Sequence, residues 1–268
     1  MKPGNTPWRP MQMASLAWDD DGSPRSTHFD DVYYSCENGL QESRYVFLEG
    51  NGLPERWSRH STAQFTIAET GFGTGLNFLM TWQAWRQLPH PRPRLHFLSI
   101  EKFPLETAQL QRATALWPEL EDLAVQLTEQ YPGLLPGQHR LLFDSGEVIL
   151  DLWWADIGDA LEDLAGRDEA LVDAWYLDGF APARNEAMWE APILQAIGRL
   201  SRSGASFSTF TAAGQVRRGL TAAGFRVDKV AGFGRKRESL RGELQPQANT
   251  ILQPDITPWD LPSERASA

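Results

Sequence analysis

Short apolar runs alternate with longer amphipathic segments along most of the chain, from about residue 64 onward. The short runs are continuous and end at acidic or turn residues, which predicts buried strands. The longer segments place apolar residues three and four positions apart, which predicts helices. Strands that alternate with helices are typical of a parallel sheet with helices on both faces. We therefore expect an α/β fold with a doubly wound, mostly parallel sheet.

The pattern assigns most of the chain to individual elements. The predicted strands are residues 63–69, 95–101, two runs within 139–156 around an Asp-Ser-Gly turn, 171–178, 204–211, 225–233 and 248–253. The predicted helices are residues 76–88, 104–131 with a break at Pro118, 157–166, 185–201 and 212–224. Asn185 is a candidate cap for the fourth helix, and Gly224 is a natural stop for the last.

The first 61 residues follow a different pattern. Short apolar runs such as DDVYYS (30–35) and SRYVFLEG (43–50) alternate with turn residues. This spacing predicts a small β-meander or hairpin. We expect a β-rich extension at 1–61 packed on the main domain at 62–254, followed by a polar, proline-rich tail at 255–268.

Composition narrows the class of protein. The chain has 268 residues, 41% of them hydrophobic and 22% charged, which suits one soluble domain with appendages. It has no apolar run of membrane-spanning length and no signal-peptide core at its N-terminus. Cys36 is the single cysteine, so an intrachain disulfide and a cysteine-based zinc site are excluded. We expect a cytoplasmic protein without a metal ion.

Charge is unevenly distributed. The net charge of -10 argues against a nucleic-acid partner, but residues 214–244 carry eight basic and three acidic residues, a local charge of +5. Within this stretch Arg235, Lys236 and Arg237 follow a glycine. They are candidates for phosphate contacts with RNA, and the alternative is an ordinary solvated surface.

The sequence ETGFGTG at 69–75 follows a predicted strand and precedes a predicted helix. Gly71, Gly73 and Gly75 allow the backbone to approach a ligand closely. The preceding acid, Glu69, suits a cationic ligand better than a pyrophosphate, and Glu101 ends the next strand, where a carboxylate can bind ribose hydroxyls. The combination favours S-adenosylmethionine (SAM) over NAD. The alternative is a turn that only packs helix on strand.

Two further strand ends carry acids. Asp178 precedes Gly-Phe-Ala-Pro, and its outline resembles the acidic turn of methyltransferases that modify amines. Asp178 can accept a hydrogen bond from an amine and Phe180 can stack on a flat base, although a helix cap and core packing would explain both residues. Asp156 can accept from an adenine amino group. Asp159 competes for that role, and either acid could instead cap a helix.

Five motifs in this order resemble the tRNA 5-methylaminomethyl-2-thiouridine methyltransferase family MnmD, the N-terminal half of the bifunctional protein MnmC. They are ETGFGTGLNFL, EKFPL, DAWYLDGFAPARNEAMW, TFTAAGQVRRGL and GFGRKRESL, and the resemblance runs from about Phe29 to Leu244. It implies a Rossmann-like SAM-dependent enzyme. Its reaction would convert 5-aminomethyl-2-thiouridine at the tRNA wobble position to 5-methylaminomethyl-2-thiouridine.

The resemblance also assigns roles. The residues expected to bind SAM are Glu69, Gly71, Gly73, Gly75, Glu101, Lys102, Asp156 and Asp178. Asp178 and Phe180 are expected to act on the substrate amine and its base, and Arg235, Lys236 and Arg237 on tRNA phosphate. The family usually has Gly-Asp where this chain has Ala155-Asp156, which makes the adenine contact less certain.

In MnmC an FAD-dependent oxidase half supplies the aminomethyl group. We find no second dinucleotide-binding glycine motif before Ala268, so we expect this polypeptide to methylate without binding FAD. The alternatives are methyl or aminopropyl transfer to a small amine, a dinucleotide-dependent oxidoreductase, and a non-catalytic tRNA-binding module. The basic stretch argues against a small amine, and the glycine loop argues against a dinucleotide-dependent oxidoreductase. The presence of Asp178 argues against a non-catalytic module.

Overall fold

The computed structural model of the protein describes residues 11–34, 36–166, 170–234 and 237–246. Its strands are β1 (Leu16–Trp18), β2 (Pro24–Ser26), β3 (Asp31–Val32), β4 (Gln64–Glu69), β5 (Arg94–Glu101), β6 (Gly137–Phe143), β7 (Val148–Trp154), β8 (Val172–Tyr176), β9 (Ser201–Thr209), β10 (Phe225–Ala231) and β11 (Glu238–Leu244). Its α-helices are α1 (Gly39–Ser43), α2 (Glu55–Arg59), α3 (Leu76–Arg86), α4 (Thr107–Thr114), α5 (Glu121–Gln130), α6 (Ile157–Ala165), α7 (Ala191–Leu200) and α8 (Gly214–Ala222).

An eight-stranded sheet forms the centre of the molecule, in the order β10-β11-β9-β8-β4-β5-β7-β6. The five strands from β9 to β7 are parallel to one another, while β6 and the pair β10–β11 extend the two edges in antiparallel fashion. Helices cover both faces because the inner strands are apolar on both sides. The predicted doubly wound, mostly parallel sheet is confirmed.

Each face of the sheet has its own apolar core. On one face Trp82 of α3 and Leu123 of α5 pack with Phe47 from the N-terminal region. On the other face Leu161 of α6 and Leu194 of α7 pack with the helix α8. Phe47 stacks on Tyr176 of β8, with ring centroids 4.9 Å apart. The N-terminal region therefore shares the core of the main domain.

The prediction for residues 43–50 is wrong. Residues 39–43 form α1, and Arg44–Glu49 continue as a π-helical turn in which Gly50 donates its N–H to the Tyr45 carbonyl, 3.1 Å away. Val46, Phe47 and Leu48 are all buried against the main domain. The spacing of this short apolar run fits a strand or a helix, and its burial against the main domain is compatible with the helical form. The three strands of the extension, β1 to β3, come earlier and form a small antiparallel sheet.

Three smaller expectations have different outcomes. The helical break at Pro118 is confirmed, since a 3-10 turn at Pro118–Leu120 separates α4 from α5. Asn185 makes no side-chain cap, and α7 begins only after Glu190. The strand predicted at 248–253 lies outside the described residues, as does the tail. The outer strand that the pattern missed is β11, which lies inside the basic stretch.

Candidate functional site

Four acids lie at one edge of the sheet. Glu69 and Glu101 end β4 and β5, while Asp156 and Asp178 follow β7 and β8 by two residues. The chain leaves β4 towards β5 and β7 and later returns to β8 on the other side of β4. Ligands bind at such a reversal of strand order in open α/β sheets. A cavity of about 600 Å³ opens there.

The glycine loop forms one wall of the cavity. Gly73 and Gly75 have positive φ angles of 53° and 74°, which explains why side chains are disfavoured at both positions. Gly71 and Gly73 line the cavity. Gly75 begins α3 instead, and a Cβ on it would lie 3.0 Å from the ring of Phe72. The predicted helix after the loop is confirmed.

Glu101 is held by backbone amides. Its Oε2 accepts from the N–H of Gly73 at 2.9 Å, and its Oε1 accepts from the N–H of Phe103 at 2.8 Å. Burial raises the pKa of Glu101, and these N–H groups offset part of that rise because they stabilise the carboxylate. A carboxylate offers about four lone-pair sites, so Glu101 keeps acceptor capacity for a further donor. The carboxylate lines the cavity and is suited to a ribose diol.

Asp156 has two roles. Its Oδ1 accepts from the N–H of Gly158 at 2.9 Å and so caps α6, while its Oδ2 pairs with Lys102 Nζ at 2.8 Å. Burial raises the pKa of Asp156, but Lys102 and the cap outweigh it and lower the pKa overall. Asp156 and Lys102 line the cavity, whereas Asp159 borders a separate depression with Glu162. This placement favours Asp156 as the acid nearer a bound ligand.

Glu69 lies beneath the cavity. It is fully buried, and among the described residues the cavity wall includes Asn77 and Asp178 above it but not Glu69 itself. Ser99 Oγ donates to its Oε2 at 2.6 Å, and Asn77 Nδ2 donates to its Oε1 at 2.9 Å. Burial and the nearby Asp178 raise its pKa well above the ordinary value. A direct contact between Glu69 and a cationic ligand stays a prediction.

Asp178 and Phe180 stand on a tight turn. Thr70 Oγ1 donates to the Asp178 carbonyl at 2.5 Å, and the N–H of Gly179 donates to Asp178 Oδ1 at 2.7 Å. Gly179 has a φ of 144°, and a Cβ there would lie 2.7 Å from Met188 Cε. Phe180 stacks on Phe29 with centroids 4.6 Å apart and planes 26° apart. Both predicted residues therefore line the cavity, side by side.

The N-terminal extension covers this turn, which sequence reasoning did not assign to the site. Phe29 and Tyr33 contact the ring of Phe180. Asp31 Oδ2 accepts from the N–H of Ala181 at 3.3 Å, and Asp30 pairs with Arg184 at 3.1 Å. The signal was the density of aromatic and acidic residues around DDVYYS. Taken alone, the pattern of that stretch predicts only strands.

The cavity continues past Asp178. Its far half is lined by Glu42 and Ser43 of α1 and by Thr209, Phe210 and Thr211 at the end of β9. The strand order β9-β8-β4-β5 places this half on the opposite side of Asp178 from Glu101. Along this edge of the sheet, Asp178 therefore lies between two parts of one continuous cavity, which we call the compartment beside the glycine loop and the compartment beside α1.

The basic stretch forms part of the sheet edge next to the far half. Ala231 of β10 pairs with Glu238 of β11, and Leu240 of β11 pairs with Thr209 of β9, so the turn between β10 and β11 lies at the same edge as the cavity. Tyr45 Oη donates to the Ala231 carbonyl at 2.9 Å and ties this turn to the segment after α1. Arg237 is exposed there, whereas Arg235 and Lys236 lie outside the described residues.

The described part of the chain contains neither a metal-binding cluster nor a membrane-spanning helix. Within residues 11–34, 36–166, 170–234 and 237–246, no cluster of three His, Cys, Asp or Glu side chains is arranged to hold a metal ion. Over the same ranges, no helix has the length and apolar character needed to cross a membrane.

Comparison with known proteins identifies similar families and folds. A family model described as S-adenosyl-L-methionine-dependent methyltransferase matches residues 118–245. The crystal structure of MnmC2 from Aquifex aeolicus superimposes with a TM-score of 0.66 at 21% identity, covering 88% of this chain and 72% of that one. The antibiotic-resistance methyltransferase Kmr matches with a TM-score of 0.40 at 14% identity, covering 68% of this chain and 89% of that one. The first two findings confirm the predicted SAM-dependent methyltransferase fold and its likeness to the fold of an MnmC protein.

Proposed function

We propose that this SAM-dependent methyltransferase methylates the aminomethyl group of 5-aminomethyl-2-thiouridine at the tRNA wobble position, giving 5-methylaminomethyl-2-thiouridine. The observation that carries the proposal is the position of Asp178. Along the edge of the sheet it lies between the part of the cavity lined by Glu101 and the part lined by α1, and Phe180, two residues on, lines the same cavity. A methyl donor on one side and an amine on the other would meet at this residue.

The compartment beside the glycine loop fits SAM. Glu101 would accept hydrogen bonds from the ribose hydroxyls, and Asp156 would accept from the adenine amino group, with Lys102 holding its carboxylate in place. The backbone at Gly71 and Gly73 would lie against the amino-acid part. When bound, SAM supplies an electrophilic methyl group on a sulfonium. The family's Gly-Asp is Ala155-Asp156 here, and both residues line the cavity.

The compartment beside α1 would receive the modified uracil. An alkyl ammonium with a pKa near that of lysine, about 10, has no lone pair for attack until it loses a proton. Asp178 would orient the amine by accepting its N–H and would stabilise or relay the departing proton. Phe180 would pack against the base. Methyl transfer is an in-line displacement, so this positioning supplies most of the catalysis.

The location of the segment between β10 and β11, within the basic stretch, supports a nucleic-acid substrate. The turn lies at the edge of the sheet where the cavity opens, next to the compartment beside α1. Arg235, Lys236 and Arg237 would contact tRNA phosphates while the anticodon base enters the cavity. An FAD-dependent oxidase would supply the aminomethyl group, as the family resemblance implies.

A small-molecule amine is the second candidate acceptor, because four acids surround the cavity edge in a protein of net charge -10. The test compares acceptors directly. Purified protein and SAM are incubated with tRNA from a strain unable to add the final methyl, with the free aminomethyl nucleoside, or with polyamines, and S-adenosylhomocysteine is measured. We expect turnover with the tRNA alone at micromolar acceptor. Turnover with polyamines and none with tRNA would overturn the proposal.

A further inference from the structure

Asn77 joins two acids from neighbouring strands. It lies in the first turn of α3, immediately after the glycine loop, and is 6% exposed. Its Nδ2 donates to Glu69 Oε1 at 2.9 Å and to Asp178 Oδ2 at 2.7 Å. An amide nitrogen has two hydrogens, so each carboxylate receives one. The orientation of the amide is determined, because the amide oxygen in that place would face two acceptors.

The two acids would otherwise repel each other at close range. Burial raises the pKa of Glu69 on β4 and of Glu101 on β5, and the nearby Asp178 raises both further. A neutral double donor between Glu69 and Asp178 offsets that repulsion without adding a charge. Both oxygens of the Asp178 carboxylate are also fixed, because Asn77 Nδ2 donates to Oδ2 and the N–H of Gly179 donates to Oδ1.

We propose that Asn77 is a positioning residue for methyl transfer, which holds the Asp178 carboxylate in the orientation that receives the acceptor amine. This inference rests on the proposed role of Asp178. It assigns Asn77 an effect on the rate of methyl transfer once SAM is bound. A residue that only packs the helix would not have this effect. Displacement of a positioned group by about 1 Å can cost roughly a hundredfold in rate.

The helix α3 offers a matched control. Thr81 lies one turn after Asn77, is fully buried, and its Oγ1 is 3.1 Å from Tyr176 Oη. Asn77→Asp removes the amide donors and Thr81→Val removes the hydroxyl, and each keeps the side-chain shape on the same helix. Only Asn77→Asp removes a hydrogen bond to Asp178. Asn77→Ala is a second variant that removes the donors without adding a charge, in case Asn77→Asp does not fold.

The experiment measures methyl transfer to undermodified tRNA at saturating SAM, across pH, with SAM affinity measured separately by calorimetry. For both Asn77 variants we expect kcat to fall about tenfold or more, with SAM affinity within about threefold of wild type. Loss of donors disfavours the charged carboxylate, so the acidic limb of the pH–rate profile moves to higher pH. Thr81→Val keeps the wild-type kcat and profile.

Two results would overturn the inference. One is an equal loss of kcat in the Asn77 variants and Thr81→Val, which would make Asn77 a packing residue. The other is a loss of SAM affinity at unchanged kcat, which would make it a cofactor contact. Failure of the proposed function has a different signature, because the wild-type protein itself would then not methylate the tRNA.

Discussion

Gly73 donates its backbone N–H to Glu101 Oε2 across 2.9 Å, so the glycine loop after β4 is joined to the end of β5. The loop and the predicted ribose-binding acid therefore form one rigid unit before any ligand arrives. Because the N–H of Phe103 holds the other oxygen, the Glu101 carboxylate cannot turn away from the cavity without losing two hydrogen bonds. Preorganisation of this kind lowers the entropic cost of binding.

Replacing Glu101 should weaken cofactor binding. Glu101→Ala removes a charged acceptor for the ribose hydroxyls and leaves the Gly73 N–H without its partner. Hydrogen bonds to charged groups contribute about 1.5–3 kcal/mol, so we expect SAM affinity to fall roughly tenfold to a hundredfold by calorimetry. Glu106→Gln, an exposed acid at the start of α4, is the control and should keep wild-type affinity. Unchanged affinity in Glu101→Ala would remove Glu101 from the cofactor site.

Replacing Asp178 should separate binding from chemistry. Asp178→Ala and Asp178→Asn lose a carboxylate of the cavity wall, while Glu101 and Asp156 remain. We expect SAM affinity near wild type and a loss of methyl transfer of about a hundredfold or more, since general acid–base groups contribute that much. Calorimetry and single-turnover transfer measure the two quantities. A loss of SAM affinity that parallels the loss of transfer would make Asp178 mainly a SAM-binding residue, the other role that the family resemblance implies for it.

The buried acid Glu69 should impose a pH dependence on stability. Burial, followed by repulsion from Asp178, raises its folded-state pKa above the ordinary value of 4.5, so the native state binds the proton more tightly than the unfolded state does. The contribution of Glu69 is then fully present below about pH 4.5 and is lost as pH rises through the folded-state pKa.

The variant Glu69→Gln tests this sign. The free energy of unfolding of the wild type minus that of Glu69→Gln should decrease as pH rises from about 4.5 towards 8, as measured by urea denaturation at several pH values. A difference that is flat or rises with pH would mean that Glu69 is ionised at no cost in the folded protein.

Replacing the three consecutive basic residues that lie in the sequence between β10 and β11 should change the salt dependence of RNA binding. Each phosphate contact contributes roughly 0.7–0.9 to the slope of log affinity against log salt. Combined replacement of Arg235, Lys236 and Arg237 by alanine should therefore flatten the slope by about two units. Arg59 lies before β4 and Arg94 is the first residue of β5, so both lie at the opposite edge of the sheet, and Arg59→Ala with Arg94→Ala is the control. Equal slopes for the triple variant and wild type would exclude tRNA docking at this turn.

The sequence predicted the inner sheet well because its strands are buried on both faces. Continuous apolar runs ending in Glu69, Glu101 and close to Asp178 leave little choice of conformation, and topology then gathers their ends at one edge. The order of strands follows from the chain reversal after β7. These features rest on local pattern and general topology, which a single sequence contains.

Other parts of the site depend on contacts between distant segments. The role of Asn77 requires β4 and β8 to be neighbours, and the stacking of Phe29 on Phe180 joins residues far apart in the sequence. The π-helical turn at Arg44–Glu49 depends on burial against the sheet. The strand β11 was missed because its sequence, ESLRGEL, mixes charged residues with a glycine and lacks a continuous apolar run, whereas its pairing with both β10 and β9 depends on contacts between distant segments.

Identification of the methylated nucleoside tests the central claim most directly. Wild-type protein is incubated with SAM and tRNA that carries 5-aminomethyl-2-thiouridine, and the digested tRNA is analysed by mass spectrometry. We predict that 5-methylaminomethyl-2-thiouridine appears as the aminomethyl nucleoside disappears, and that Asp178→Asn forms little of it. Binding of SAM without any methylated nucleoside would contradict the proposed acceptor.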